Sequence, residues 1–313
     1  MENHSYHNTT IMPHSDNTSY QHDFLFHSIT GIGYLIIGIL GIIGHVTLAA
    51  LFSRENLVSR GSAAVHVAMA ISNAGVLAGF PFTASSAFAG RWLFGEAGCQ
   101  FYAFEGMFFG ISSILLLGVL SVDRFINIHW PQYYGDLYLR PYWLAILVCY
   151  LTAAFWSTVP IVGWARYALD KTHVACVVDW ANPTSSYKSY IFAITMSCFM
   201  LPYALMAIGF IRTCLGRKAT STNVEKLSDR DHDLIVRSLS IVSMVTWTPF
   251  AILCLQFLVR DPYDTSITMA AMPALICKAV TAGVPLVYAV CSAEIRYSIK
   301  HMFSRTCPER KRT

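Results

Sequence analysis

Seven stretches of this 313-residue chain stay apolar for long enough to cross a bilayer as helices, a crossing that takes about 20 residues. They cover approximately 28–52, 62–88, 97–123, 142–163, 189–212, 235–259 and 268–291. Hydrocarbon offers backbone N–H and C=O groups no partner, so each span must satisfy its own hydrogen bonds. Charged residues make up 13% of the chain, against about 25% in a soluble globule, because lipid-facing surface needs no charge. The expected fold is therefore an all-α membrane protein with seven transmembrane helices. A short amphipathic stretch follows, Ser292 to Phe303, with Ile295, Ile299, Met302 and Phe303 on one face and Arg296 and Lys300 on another. It reads as a helix lying on the membrane surface. The divisions are a tail over 1–27, the membrane domain over 28–291, the surface helix over 292–303 and a second tail over 304–313. A net charge of +4, scattered along the chain, gives no nucleic-acid surface.

The positive residues set the direction. With the N-terminus outside, sixteen of the 22 Lys and Arg residues fall on inner segments and five on outer ones, with Lys278 inside a span. An integral, multi-pass protein follows, its N-terminus extracellular or lumenal and its C-terminus cytoplasmic. Asn3, Asn8 and Asn17 each begin an N-x-S/T triplet, which suits a glycosylated outer face. Of nine cysteines, only Cys99 and Cys176 lie at outer ends, where oxidation can join them. Such a bond would tie the start of the third span to the second outer loop; two free thiols are the alternative.

Lys278 stands in the middle of the apolar run Met272–Val290. A lysine at that depth costs roughly 2.5–3.5 kcal/mol on insertion scales, so it marks function. Apolar surroundings favour a neutral amine, the form that attacks an aldehyde. A lysine paired with a carboxylate to tie two helices is the plainer alternative. No metal-ligand spacing and no nucleophile–base motif appears among the histidines and other polar residues.

Several motifs carry a family resemblance. Asp123-Arg124-Phe125 ends the third span, Trp247-Thr248-Pro249 lies in the sixth, and Pro285-Leu286-Val287-Tyr288 in the seventh. In this order and spacing they resemble rhodopsin-like G-protein-coupled receptors. Lys278, seven residues before Pro285, stands at the offset of the retinal-binding lysine of opsins. Gly90-Arg91-Trp92-Leu93-Phe94-Gly95, Gly98-Cys99-Gln100, Phe155-Trp156 and Met272-Pro273-Ala274-Leu275-Ile276 resemble the group of retinochrome, peropsin and the retinal G-protein-coupled-receptor opsin. The resemblance runs from Ile29 to Phe303.

The resemblance implies retinal bound as an imine on Lys278. A protonated imine is a buried cation and needs an anion nearby. Where visual opsins carry a glutamate, three residues after the third-span cysteine, this chain has Tyr102. The family's other acidic site, six residues before the second-loop cysteine, is Asp170, the expected anion. Glu105 departs from the family; one helical turn from Tyr102, it shares that residue's face. It is read as a protonated acid bonded to a neighbouring helix, or as an alternative anion. Trp247 and Phe250, with Gly106, Phe109 and Gly110 of the third span, are expected to wall the chromophore. Asp123, Arg124 and Tyr288 are expected to face a G protein.

Three polar positions through which the family couples ligand to helix motion are altered: His45, Ser72 (or Asn73, if the register slips by one) and Val284. The leading reading is a light-driven retinal isomerase that holds all-trans-retinal in the dark and yields the 11-cis isomer, exchanging it with retinoid-binding proteins. A light-activated receptor coupled to a G protein is the first rival. A non-photic retinoid receptor is the second.

Overall fold

Lipid forces backbone bonding inward, and among its described residues the computed structural model has seven helices long and apolar enough to cross a membrane. It describes residues 17–130, 139–180, 184–215, 227–256, 258 and 267–305. Asn3, Asn8 and the tail beyond residue 305 lie outside the described residues. The first span is Asn17–Arg54, whose membrane-length apolar part begins at His27. Helix thus continues into the segment expected to be tail, and Asn17 begins it. The second span is two helices, Arg60–Ala78 and Phe80–Ala89; the third is one, Gly95–His129. The fourth is Leu139–Thr158 and the sixth Asp229–Gln256. The fifth joins Ser185–Ile194 to Leu201–Leu215 through a π-helical turn, Thr195–Met200. The seventh, Ile267–Cys291, is followed by the surface helix Ala293–Arg305.

Proline explains three departures from regular helix. The fourth span stops at Thr158 rather than near 163, because Pro160 cannot donate to the ladder and disfavours helix at Val159. The second breaks at Gly79, just ahead of Pro81. In the fifth, the wide turn ends two residues before Pro202, whose missing N–H a π turn accommodates.

The third span is the axis of the bundle, packing against the second, fourth, fifth and sixth. Val290 is 80% exposed and Leu286 69%, so the seventh span turns a broad apolar face to lipid. The surface helix buries Ile295 and leaves Arg296 and Lys300 exposed. Arg296 also donates to the Ala289 carbonyl at 2.6 Å, satisfying one of the last acceptors of the seventh span.

Two polar knots hold the end of the bundle opposite the disulfide. Asp123 accepts from Tyr142 at 2.5 Å, from Ser62 at 3.1 Å and from Arg124 at 3.1 Å. The Tyr142 ring lies across Gly61, where a side chain would collide with it. Arg124 also pairs with Asp229 of the sixth span at 3.5 Å. Beside this, His66 bonds to Tyr288 through Nδ1 at 2.8 Å and to His232 through Nε2 at 3.0 Å. That chain links the second, sixth and seventh spans.

Replacing Tyr142 with Phe keeps the ring on Gly61 but removes a donor from a buried carboxylate. Hydrogen bonds to charged groups contribute about 1.5–3 kcal/mol. We expect a loss of that size, read as a lowered thermal midpoint of the detergent-solubilised protein; an unchanged midpoint would show that the bond contributes nothing.

Candidate chromophore-binding site

Lys278 opens on a cavity in the half of the bundle that carries the disulfide. Its Nζ donates to the Tyr102 hydroxyl at 2.6 Å and lies 4.7 Å from the Tyr102 ring centre and 5.6 Å from that of Tyr34. Among the described residues the amine forms no ion pair. Tyr102 reaches it because Gly79, at the break in the second span, leaves room: a Cβ there would sit 2.8 Å from the Tyr102 ring.

The cavity has two adjoining lobes that share Gly106, Met107, Val178, Trp247 and Phe250. Each lobe has a cavity volume of about 100 Å³. Small-molecule sites are concave, with mostly apolar walls and a few placed polar groups. The lining of both lobes has that character, with Lys278 and Tyr102 the polar groups of the first. No atom lies within 4 Å of a Cβ built on Gly106, so this glycine faces open space. Gly110 does the opposite, letting the Trp247 indole close to 3.0 Å of its Cβ position.

Phe109 was expected in this wall but lines neither lobe. Its ring packs over Gly75 of the second span. One position from Gly110 turns a side chain by about 100°, and Gly75 provides the gap that receives it.

A hairpin roofs the cavity. β1 (Tyr167–Leu169) pairs antiparallel with β2 (Cys176–Val178), Leu169 opposite Cys176. The Cys99–Cys176 disulfide fixes β2 to the third span, and Val177 and Val178 line the lobe at Lys278. Strand alternation counted from Cys176 would have flagged Val178. Met107, Tyr34, Thr195 and Cys198 were also missed; the first follows from the Gly106 face, the others from no sequence signal.

Asp170 follows β1 directly. Its backbone N–H donates to the Ala175 carbonyl at 2.9 Å, and its Oδ1 accepts from Thr172 N at 3.1 Å and Thr172 Oγ1 at 2.6 Å. Burial pushes its carboxyl above the ordinary value, partly offset by the donors from Thr172 and Ala175. Glu105 is 8% exposed and makes a backbone hydrogen bond with Gly79 at the break in the second span, a neighbouring helix; among the described residues its Oε1 has no hydrogen-bond partner.

Beneath Trp247 a smaller cavity is lined by Asn73, Ser113, Ser243 and Thr246 together with Leu117, Leu239, Val280 and Val284. Ser113 donates to Asn73 Oδ1 at 2.6 Å. Ser72 instead turns to the fourth span, 3.0 Å from the Tyr150 hydroxyl. The residue facing the interior is thus Asn73, one register step from Ser72, and part of the polar network survives. His45 reaches the Thr281 carbonyl at 2.9 Å. Asp123, Arg124 and Tyr288 are all buried within the bundle, engaged in the knots described above.

Residues 46–288 match the 7 transmembrane receptor (rhodopsin family) model. The chain is 30% identical over 285 residues to the visual pigment-like receptor peropsin of Homo sapiens, covering 88% of this chain and 85% of the relative. It is 26% identical over 230 residues to retinochrome of Todarodes pacificus, covering 72% and 76%. The crystal structure of squid rhodopsin superposes with a TM-score of 0.78 at 23% identity, covering 91% of this chain and 87% of that one, a likeness of fold. The chain is therefore a multi-pass integral membrane protein that belongs to the rhodopsin family of seven-transmembrane receptors, among the opsins.

Proposed function

We propose that this opsin is a retinal photoisomerase, holding all-trans-retinal covalently on Lys278 in the dark and yielding the 11-cis isomer in light. Bound retinal supplies the light absorption and the double bond that rotates. The chain's own residues do the rest. Lys278 provides the attachment amine, and Tyr102 orients it. Trp247 and Phe250 face Gly106 across an apolar slot that suits a polyene, and the pinned hairpin shields the slot from water. The excess of positive residues at the Arg124 end supports an extracellular or lumenal N-terminus.

The observation that carries the isomerase reading over a signalling one is the cavity beneath Trp247. Among the described residues it is lined by hydroxyls, one amide, Met69, the Trp247 indole and aliphatic side chains, and by no carboxylate. A relay from ligand to helix motion has little charge there to act on. The rival reading, a light-activated receptor acting on a G protein, draws on the intact Asp123–Arg124 pair and its tie to Asp229. Outward movement of the sixth span would break that tie.

Lys278→Ala should abolish covalent retinal. Borohydride treatment of the illuminated or dark pigment, followed by mass spectrometry, should find retinal on Lys278 in the parent and nowhere in the variant. Chromatography of extracted isomers should show all-trans in the dark and accumulating 11-cis after light. A pigment that forms only with 11-cis and converts only to all-trans would defeat the isomerase. Light should also evoke little nucleotide exchange on any G-protein class; robust exchange on one would favour the receptor reading.

A further inference from the structure

Glu105 is a buried carboxylate that forms no ion pair among the described residues, unlike Asp123 and Asp179. It lies in the third span, 8% exposed, well away from either end of Gly95–His129; it makes a backbone hydrogen bond with Gly79, and its Oε1 has no partner among the described residues. Polar groups removed from water are normally paired, and an unpaired buried carboxylate is among the costliest exceptions. Such a residue is either protonated or compensated by a positive charge close by.

The break at Gly79 brings Glu105 to that charge. A Cβ on Gly79 would lie 3.1 Å from Glu105 Oε2 and 2.8 Å from the Tyr102 ring, so both side chains occupy the gap this glycine leaves. The Tyr102 hydroxyl in turn receives the Lys278 amine. Among the described residues, the titratable groups around Lys278 include Tyr34 of the first span, Tyr102 and Glu105 of the third and Cys277 of its own helix. Glu105 is the carboxylate among them, and Lys278 is the cation acting on Glu105. Asp170 acts on the two tyrosines, Tyr34 and Tyr102. Its own Oδ1 is engaged by Thr172 in the turn beyond β1, with His173 as the nearby base.

We infer that Glu105 is the anion that compensates a positive charge on Lys278, with the Tyr102 side chain beside both, in place of the second-loop carboxylate. This rests on retinal attachment at Lys278. Glu105 acts through its field and through Tyr102, as a positioning residue with no contact to the attached group. The loop acid Asp170 then serves the turn that holds the hairpin in place.

The test compares the full chain with its Glu105→Gln, Glu105→Asp and Asp170→Asn variants, each reconstituted with all-trans-retinal in detergent. The parent, Glu105→Asp and Asp170→Asn pigments should absorb in the visible at neutral pH. Glu105→Gln should absorb in the near ultraviolet and recover the visible band only with roughly a hundredfold more acid. A visible Glu105→Gln pigment at neutral pH overturns the inference, and so does an Asp170→Asn pigment that turns ultraviolet in its place. A second measurement needs no retinal: labelling of Lys278 by a small amine-reactive reagent, followed by mass spectrometry. At neutral pH Glu105→Gln should label about tenfold faster than the parent, because the amine loses its stabilising anion. Equal rates sink the Glu105 assignment even if no pigment forms. Failure of the parent to take up retinal, with the labelling difference intact, instead removes the attachment reading.

Discussion

A lysine amine inside an apolar bundle has only protein atoms to bond, and in this chain the acceptor is the Tyr102 hydroxyl. Much of the disulfide half follows from making that contact. Tyr102 lies against the second span only because Gly79 presents no side chain, and Gly79 marks the place where Pro81 interrupts the helix. Three residues before Tyr102 on the same helix, Cys99 anchors β2 and with it the roof over the amine. One backbone break, one phenol and one crosslink thus fix the depth, partner and cover of Lys278.

The two halves of the bundle solve the cost of burying polar groups differently. Near Lys278 the polar groups gather on one side, at Tyr102 and Glu105, and the rest of the wall is apolar, so the cavity remains open along Gly106. At the Arg124 end they are crowded and mutually satisfied, with Asp123 accepting from three residues. The first arrangement leaves space for a ligand; the second leaves little for movement without breaking several bonds together. Between them, the small cavity at Asn73 and Ser113 is polar without being charged.

The seven spans were legible in the sequence because lipid imposes a length and a composition that few other contexts share. Lys278 was legible for the same reason, since charge at that depth is rare. Finer features depended on rotation about helix axes, which composition does not encode. Phe109 and Gly110 are adjacent in the chain, yet only Gly110 meets Trp247, and what turns Phe109 away is a glycine on another helix. Ser72 and Asn73 were separable only once Ser113 and Tyr150 were placed on opposite sides of the second span. The end of the fourth helix at Thr158 could have been read from Pro160. The π turn at Thr195–Met200 could not, because Pro202 is equally compatible with a simple kink.

The chain of rings joining Tyr288, His66 and His232 has a further consequence. Two neutral imidazoles whose Nε2 atoms face each other at 3.0 Å can share only one proton, so the tautomer of either ring dictates that of the other. In one arrangement Tyr288 donates to His66, which donates onward to His232. In the other the direction reverses, His232 donates to His66, and His66 donates back to the phenol oxygen. His232 Nδ1 has no partner among the described residues, so the two directions differ in leaving there either a stranded proton or a bare lone pair. The row therefore has a polarity, like a line of dominoes that can lean only one way or the other, and it crosses three helices. Pulling the sixth span from the second would cut it at the histidine pair and leave two facing nitrogens that only water could then satisfy.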